Sequence, residues 1–326
     1  MNTLNDATAA IRSADRIAIT THIRPDGDAL GSALGLQRLL ATAGKTASIV
    51  GMDPVPQRYG FLMRENETIP AENTSPGAFD LLVVLDTGAP DRMPDAMRDW
   101  LPLVRSLNID HHPTNTGFAD INHVDPVASS VGEMICALAR HAGYGIAAGA
   151  AEALWVAVVT DTGRFAYSNT RPATLRAAAG LLETGIATDR INDRIYNTAT
   201  VTQIRLQGRA TASLELHENG RIALVSLARE DFAACGAAGE DADEIVEIPR
   251  RTGAAVAVFL CEPRGDGPRE TKASFRTTEP FDAASLCREL GGGGHARAAG
   301  CTLPMSLIVA RDHLLGIIRM RWFISK

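Results

Sequence analysis

The stretch RIAITTHIRPDGDALGSALGLQRLLATAG, residues 16–44, decides the fold. Its first part, RIAITTH (16–22), carries the apolar run Ile17–Ile19 and reads as a β-strand. Its last part, ALGSALGLQRLLATAG (29–44), reads as a helix ending at Gly44. The short loop between them holds His22, Asp26 and Asp28. The strand–loop–helix order recurs downstream. TASIVG (46–51), FDLLVVLD (79–86) and RSLNID (105–110) read as further strands. DLLVVL is apolar throughout, as expected of a strand buried on both faces of a parallel sheet. SSVGEMICALARHAG (129–143), AEALWVAVV (151–159) and PATLRAAAGLLETG (172–185) read as helices. The expected class is α/β, with a doubly wound, mostly parallel sheet.

After about residue 190 the texture changes. INDRIYNTATVTQIRLQGRATASLEL (191–216) reads as a polar, helical connection. RIALVSLA (221–228), AAVAVFLCE (254–262) and TKASFRT (271–277) read as strands. DADEIVEIPRR (241–251) and FDAASLCREL (281–290) read as helices, and EPRGDGPRE (262–270) as a hairpin loop. LPMSLIVARDHLLGIIRMRW (303–322) reads as a terminal helix. The expected domains are 1–190, a helical linker 191–215, and a smaller α/β domain 216–326.

The totals bound the function. A chain of 326 residues suggests about two domains. A net charge of −6 argues against a protein that coats long nucleic acid, which needs a strong basic field. A short nucleotide in a local pocket remains compatible. The five cysteines show no CxxC or zinc spacing and suit a reduced, cytoplasmic protein with mostly buried thiols. MNTLNDATAAIRSADR lacks the apolar core of a signal peptide. LWVAVV (154–159) is too short to span a bilayer, so no membrane partner is expected.

In an open parallel sheet, ligands bind outside the carboxyl ends of the strands. His22, Asp86, Asp110, His111 and His112 fall at such ends, Asp26 and Asp28 in the following loop, and Asp161 at the end of another apolar run. Each residue alone has an ordinary explanation. Asp28 could cap its helix, Asp86 and Asp161 could serve turns, and adjacent histidines are usually solvated. Those explanations weaken together, because clustered carboxylates are unfavourable without positive charge beside them. Two divalent cations would supply it. A mixed imidazole and carboxylate set suits Mn²⁺ first, with Mg²⁺, Co²⁺ or Fe²⁺ also compatible. His22, Asp26, Asp28, Asp86, His111 and Asp161 supply the six ligands such a centre needs. Gly31 and Ser32 would let the helix begin close to it.

At NIDHHPTN (108–115) the sequence resembles the DHH phosphoesterases. THIRPDGDALGS (21–32) is similar to their first motif, LDTG (85–88) to the second, and TDTGRF (160–165) to the fourth. GGGGHARAAG (291–300) and ASFRT (273–277) resemble the DHH-associated C-terminal domain. The two-domain size is similar to the nanoRNase and pAp-phosphatase subfamily. The resemblance implies one metal on His22, Asp26 and Asp86, and another on Asp28, Asp86, His111 and Asp161. It implies that Asp110 orients the imidazoles and that His112 faces the scissile phosphate. Arg276, Gly292, Gly293, Gly294 and His295 would hold substrate phosphate, with Ser130 and Arg164 also at the substrate. For the glycines a flexible turn is the plain alternative. Phe165 fits a base pocket or the core, while His123, His141, His217 and His313 fit surface or structural positions.

The expected activity is metal-dependent cleavage of very short oligonucleotides to 5′-mononucleotides, and removal of the 3′-phosphate of pAp, in an interdomain cleft. The rival enzymes are a cyclic dinucleotide phosphodiesterase and a manganese pyrophosphatase. The rival from another class is a nucleotide-binding regulator. A homodimer is compatible with all of them.

Overall fold

A strand buried on both faces must be apolar at every position, and LLVVL (81–85) meets that requirement. The computed structural model describes residues 2–324 except 243 and 263–268. The chain divides into two units, Met1–Thr198 and Ala199–Lys326. The first runs α1 (Leu4–Ser13), β1 (Arg16–Thr21), α2 (Gly27–Thr42), β2 (Thr46–Val50), β3 (Thr68–Ile69), β4 (Leu81–Leu85), α3 (Asp95–Arg98), β5 (Ser106–Asp110), β6 (Ile121–Val124), α4 (Val131–Ala142), α5 (Ala148–Asp161), α6 (Pro172–Leu182) and α7 (Thr188–Tyr196). Its six strands form one parallel sheet in the order β3-β2-β1-β4-β5-β6.

Side chains alternate between two cores. Ile17, Ile19, Leu81, Val83 and Leu85 pack with the long helices, including Ile11, Leu34, Ile135 and Leu154. Ala18, Val50, Leu82 and Val84 pack on the other side with Met93, Met97, Trp100 and Val104. Strands β1, β4 and β5 are neighbours and parallel, so their carboxyl ends meet at one edge. Helix α5 is apolar all round and buried from Ala150 to Val159 except at the partly buried Glu152, as befits a helix inside the protein.

Gly31 has a different job from the one expected. A Cβ there would collide with the carbonyl oxygen of Ala153 and the amide nitrogen of Ala157 on α5. Glycine therefore lets the backbones of α2 and α5 come together, which brings Asp28 on one helix toward Asp161 on the other.

The second unit runs α8 (Val201–Ala212), β7 (Glu215–His217), β8 (Ile222–Leu227), α9 (Arg229–Cys235), α10 (Glu247–Arg250), β9 (Val256–Cys261), β10 (Thr271–Thr277), α11 (Ala283–Glu289), β11 (Gly293–His295), β12 (Ala298–Leu303) and α12 (Leu307–Arg319). Its sheet has the order β11-β12-β10-β9-β8-β7, parallel only between β8 and β9. One face packs Phe275, Val258 and Leu224 against Leu286, Leu314 and Ile318. On the other face, Val225, Leu227 and Phe259 pack with Leu206 and Phe232.

Several expected elements differ. The stretch 191–216 is not one helix. Helix α7 buries Ile191 and Ile195 in the first core, α8 buries Leu206 and Ala210 in the second unit, and Glu215–His217 is a strand. Among the described residues, the helix expected over 241–251 is a single α-turn, Glu247–Arg250, with Asp241 and Ala242 in a separate 3-10 turn. The terminal helix begins after Ser306 rather than at Leu303, which ends β12. Of the expected hairpin loop, residues 263–268 lie outside the described residues, while β9 and β10 on either side do pair antiparallel.

Gly31→Ala tests the helix approach. Alanine raises helix propensity by about 1 kcal/mol, yet crowding against fixed backbone typically costs about 1–3 kcal/mol. The expected result is a lower urea midpoint and weaker metal binding. A variant as stable as the parent would show that α2 and α5 need not lie this close.

Candidate metal centre

The sheet edge gathers the site. His22 follows β1, Asp86 follows β4, Asp110 ends β5, and His111 and His112 come next. Helix α2 opens on this edge, and Asp161 is the last residue of α5. A carboxylate there faces the negative end of the helix dipole, an unfavourable place unless a cation offsets it.

Asp86 sits at the centre. Its Oδ2 lies 3.6 Å from Nε2 of His22, and its Oδ1 lies 3.5 Å from Nε2 of His111. One carboxylate thus offers an oxygen to each of two groups. The first group is His22, Asp26 and Asp86; the second is Asp28, His111 and Asp161. In the second, Nε2 of His111 is 3.8 Å from Asp28 Oδ2 and 3.7 Å from Asp161 Oδ2. These separations are long for hydrogen bonds. They match donors that share a cation, since bonds of about 2.1 Å place neighbouring donors about 3.0–4.2 Å apart.

Backbone carbonyls set the tautomers. Nδ1 of His22 donates to Ile23 O at 2.8 Å, and Nδ1 of His111 to Ala128 O at 3.3 Å. Each leaves Nε2 facing the carboxylates, the usual support for a metal-binding imidazole. Asp26, not Asp28, is the N-cap of α2: its Oδ1 accepts from the amides of Asp28 and Ala29, both at 3.0 Å. Asp28 lies in the first turn and is buried. It accepts from Val131 N at 2.7 Å, Gly132 N at 3.0 Å and Ser32 Oγ at 3.0 Å. Those two amides open α4, so Asp28 stands at the positive ends of two helices.

The electrostatics fit a cation centre. Burial, then the charges of Asp86 and Asp161, push the Asp28 carboxyl well above its ordinary range. Burial works against ionisation of Asp86 too, but the imidazoles of His111 and His22 outweigh it and hold its carboxyl below its ordinary range. Burial opposes charge on the imidazoles, yet Asp86 lifts His22 to about 9, and Asp86 and Asp28 lift His111 to about 11. Oδ1 of Asp86 is buried and accepts no hydrogen bond. A divalent cation would satisfy that oxygen and displace the imidazole protons. The residues fit such a group, with oxygen and nitrogen donors and no thiol.

Asp110, fully buried, accepts from Nδ1 of His112 at 2.7 Å. Burial opposes charge on His112, and this bond raises its pKa nevertheless. Asn115, which no expectation included, holds Asp110 and is itself held by Asn108. Asn115 Nδ2 donates to Asp110 Oδ2 at 2.6 Å and to Asn108 Oδ1 at 2.7 Å. A signal was present: Asn108 is a polar residue between Leu107 and Ile109, in a strand buried at every position.

The expected substrate residues are placed less uniformly. Ser130 is fully buried, and its Oγ caps α4 by accepting from Glu133 N at 3.0 Å, which leaves it no exposed atom for the expected substrate contact. Arg164, exposed, lays its guanidinium over the Tyr196 ring at 3.7 Å. Phe165 packs edge-on against Trp155. The glycine run is part turn and part strand: Gly291 is a turn residue at φ 77, and Gly293–His295 is an edge strand paired with β12. Gly294, at φ 134, has no room for a Cβ against Ala298 O. Arg276 and His295 both pair with Ala298, so the two side chains project from one face of the sheet, over a small residue. Arg276 Nε donates to Glu247 at 3.2 Å.

Comparison with known proteins bears on this geometry. The model of the DHH family, N-terminal domain, matches residues 16–159, and that of the DHHA1 domain matches residues 219–314. The chain is 36% identical over 306 residues to the bifunctional oligoribonuclease and PAP phosphatase NrnA of Thermus thermophilus, covering 93% of this chain and 89% of that protein. It is 29% identical over 293 residues to the Bacillus subtilis protein of the same name, covering 89% and 90%. An exopolyphosphatase-related protein from Bacteroides fragilis superposes with a TM-score of 0.88 at 26% identity, covering 97% of this chain and 95% of that one.

Asp86→Asn keeps shape but weakens the shared ligand. Calorimetric titration with Mn²⁺ should show affinity reduced at least about 100-fold and, in the parent protein, tighter binding at pH 8 than at pH 6, because the cation displaces protons held on His22 and His111. Unchanged binding by the variant would remove Asp86 from the centre.

Proposed function

Because the chain belongs to the DHH family, we propose that it is a metal-dependent phosphoesterase that degrades very short oligonucleotides and linear dinucleotides to 5′-mononucleotides and removes the 3′-phosphate of pAp. The observation that carries this reading is Asp86, whose two oxygens face two separate groups of histidine and carboxylate ligands. The relatives named for oligoribonuclease and PAP phosphatase activity support the substrate class.

We assign one divalent cation to His22, Asp26 and Asp86, and the other to Asp28, Asp86, His111 and Asp161, with Mn²⁺ as the ion. When bound, such a pair lowers the pKa of a water and neutralises charge on phosphoryl oxygens. The protein's own groups do the rest. Asp110 holds Nδ1–H of His112, which directs Nε2 the other way, toward the reacting phosphate in this reading. There it stabilises developing charge or protonates the leaving oxygen. Arg276, His295 and the Gly292–Gly294 amides grip the nonreacting part of the substrate, the arginine through its planar fork of donors. Arg164 is a further contact in this assignment. A protein of net charge −6 offers no long basic track, so substrates stay short. We place the enzyme in the cytoplasm. No helix among the described residues is long and apolar enough to cross a membrane.

The test is turnover with Mn²⁺ on pAp, a linear dinucleotide, a 24-mer, pyrophosphate and cyclic di-AMP. The first two should be cleaved fastest and the activity should vanish on chelation. Preference for pyrophosphate or for the cyclic dinucleotide would replace the reading with that rival, and equal rates on 2-mer and 24-mer would point to a general exonuclease.

Arg276→Ala should reduce kcat/KM on pAp roughly 10- to 150-fold, mostly through KM, as expected for a remote charge-assisted contact. Parent-like constants for both Arg276→Ala and His295→Ala would withdraw the second unit from substrate binding.

A further inference from the structure

The DHH triplet is held by an amide pair that lies outside it. Asp110 uses one oxygen for His112 and the other for Asn115. The orientation of the Asn115 amide follows from its surroundings. Gly117 N donates to Asn115 Oδ1 at 2.8 Å, so that oxygen faces the backbone and Nδ2 must face Asp110. The two Nδ2 hydrogens then meet Asp110 Oδ2 and Asn108 Oδ1, the two shortest contacts, with Thr87 O a longer third acceptor at 3.3 Å. Asn108 is fully buried in β5, and its own Nδ2 donates to the carbonyls of Val84 at 3.1 Å and Thr87 at 3.2 Å. Those carbonyls flank Asp86, which adopts a left-handed conformation at φ 55. Every hydrogen of the two amides has an acceptor, and the chain of bonds runs from the β4 backbone through Asn108, Asn115 and Asp110 to His112.

We propose that Asn115 and Asn108 are positioning residues that fix the imidazole of His112 for the reaction, acting through Asp110; this rests on the phosphoesterase reading for its catalytic consequence. The physical reason is rotational. An Asp side chain with one oxygen on an imidazole can still turn about its terminal bond, and a second donor on the other oxygen removes that freedom. A group held within a few tenths of an ångström of its productive place keeps a large part of its effect, and a loose one loses it. Asn108 is the anchor because β5 holds it between two backbone carbonyls.

Two readouts test this. The first needs no turnover. In protein labelled with ¹⁵N-histidine and loaded with Mg²⁺, the hydrogen-bonded Nδ1 proton of His112, assigned with His112→Ala, should be visible in the parent and broadened or lost in Asn115→Ala. The second is kinetic, with Mn²⁺ on pAp. Asn115→Ala should lower kcat about 10- to 100-fold while KM changes less than about 3-fold. In a His112→Ala background the same substitution should cost less than about 2-fold, since the group it positions is gone. Asn115→Asp should be worse than Asn115→Ala, because it sets a second carboxylate against Asp110, and adding Asp110→Asn should recover part of the loss by restoring a donor between them.

An unchanged His112 proton signal in a folded Asn115→Ala protein overturns the proposal, as does an equal kinetic loss with and without His112. Absence of parent turnover on pAp and dinucleotide would instead sink the phosphoesterase reading, and the proton signal still decides the positioning role.

Discussion

Burying a carboxylate beside other carboxylates is unfavourable unless positive charge is built around it, and the first unit is organised by that constraint. Asp86 is buried, carries an oxygen without a hydrogen bond, and has His22, His111 and His112 around it. The backbone accepts a left-handed conformation to aim this carboxylate, of a kind that costs about 1–3 kcal/mol and persists where surroundings enforce it. Asn108 provides part of that enforcement by holding the carbonyls on either side. A cation site explains why such an arrangement is kept, since the imidazoles, the unpartnered oxygen and the strained residue all point at the same space.

The scaffold answers the same constraint from several directions. Parallel order of β1, β4 and β5 brings three strand ends together. Asp28 uses the opening amides of α4 while sitting in the first turn of α2, so two helix dipoles favour its charge. Asp161 has no such support at the C-terminal end of α5, and its place depends on the close approach of α2 and α5 at Gly31. In the proposed reading, a substitution in that helix contact would be felt at the metal ligands, although no ligand is changed.

In the second unit the glycines act through backbone proximity. Gly294 lets β11 lie against β12, and that pairing sets His295 and Arg276 in one row across Ala298. The partner of Arg276 in this structure, Glu247, marks it as a cation already oriented by a carboxylate. In the proposed reading, substrate phosphate would compete for the same fork of donors.

The sequence by itself determined the parallel sheet of the first unit and the identity of the residues at its edge. Periodicity is a local property, and a run such as LLVVL (81–85) needs no partner to declare itself buried on both faces. Most residues of the proposed metal site were legible for the same reason, since His22, Asp86, His111 and Asp161 stand where an apolar run stops, while Asp26 and Asp28 lie in the loop that follows one. Tertiary structure alone decided what depends on residues far apart in the chain. Ser130 looked available beside the site, but it caps α4 and is buried. Asp26 and Asp28 are two residues apart, and only the positions of α2 and α4 made one a cap and the other a ligand of two helix ends. GGGGH is locally indistinguishable from a turn until β12 arrives to pair with it. The apparent single helix over 191–216 broke because its parts bury apolar residues in different cores. Asn115 became more than a turn residue only when Gly117 fixed its amide and Asn108, seven residues away, supplied the acceptor. Local pattern specifies which surface a residue prefers to bury; which group it finally faces is set by elements that meet only on folding.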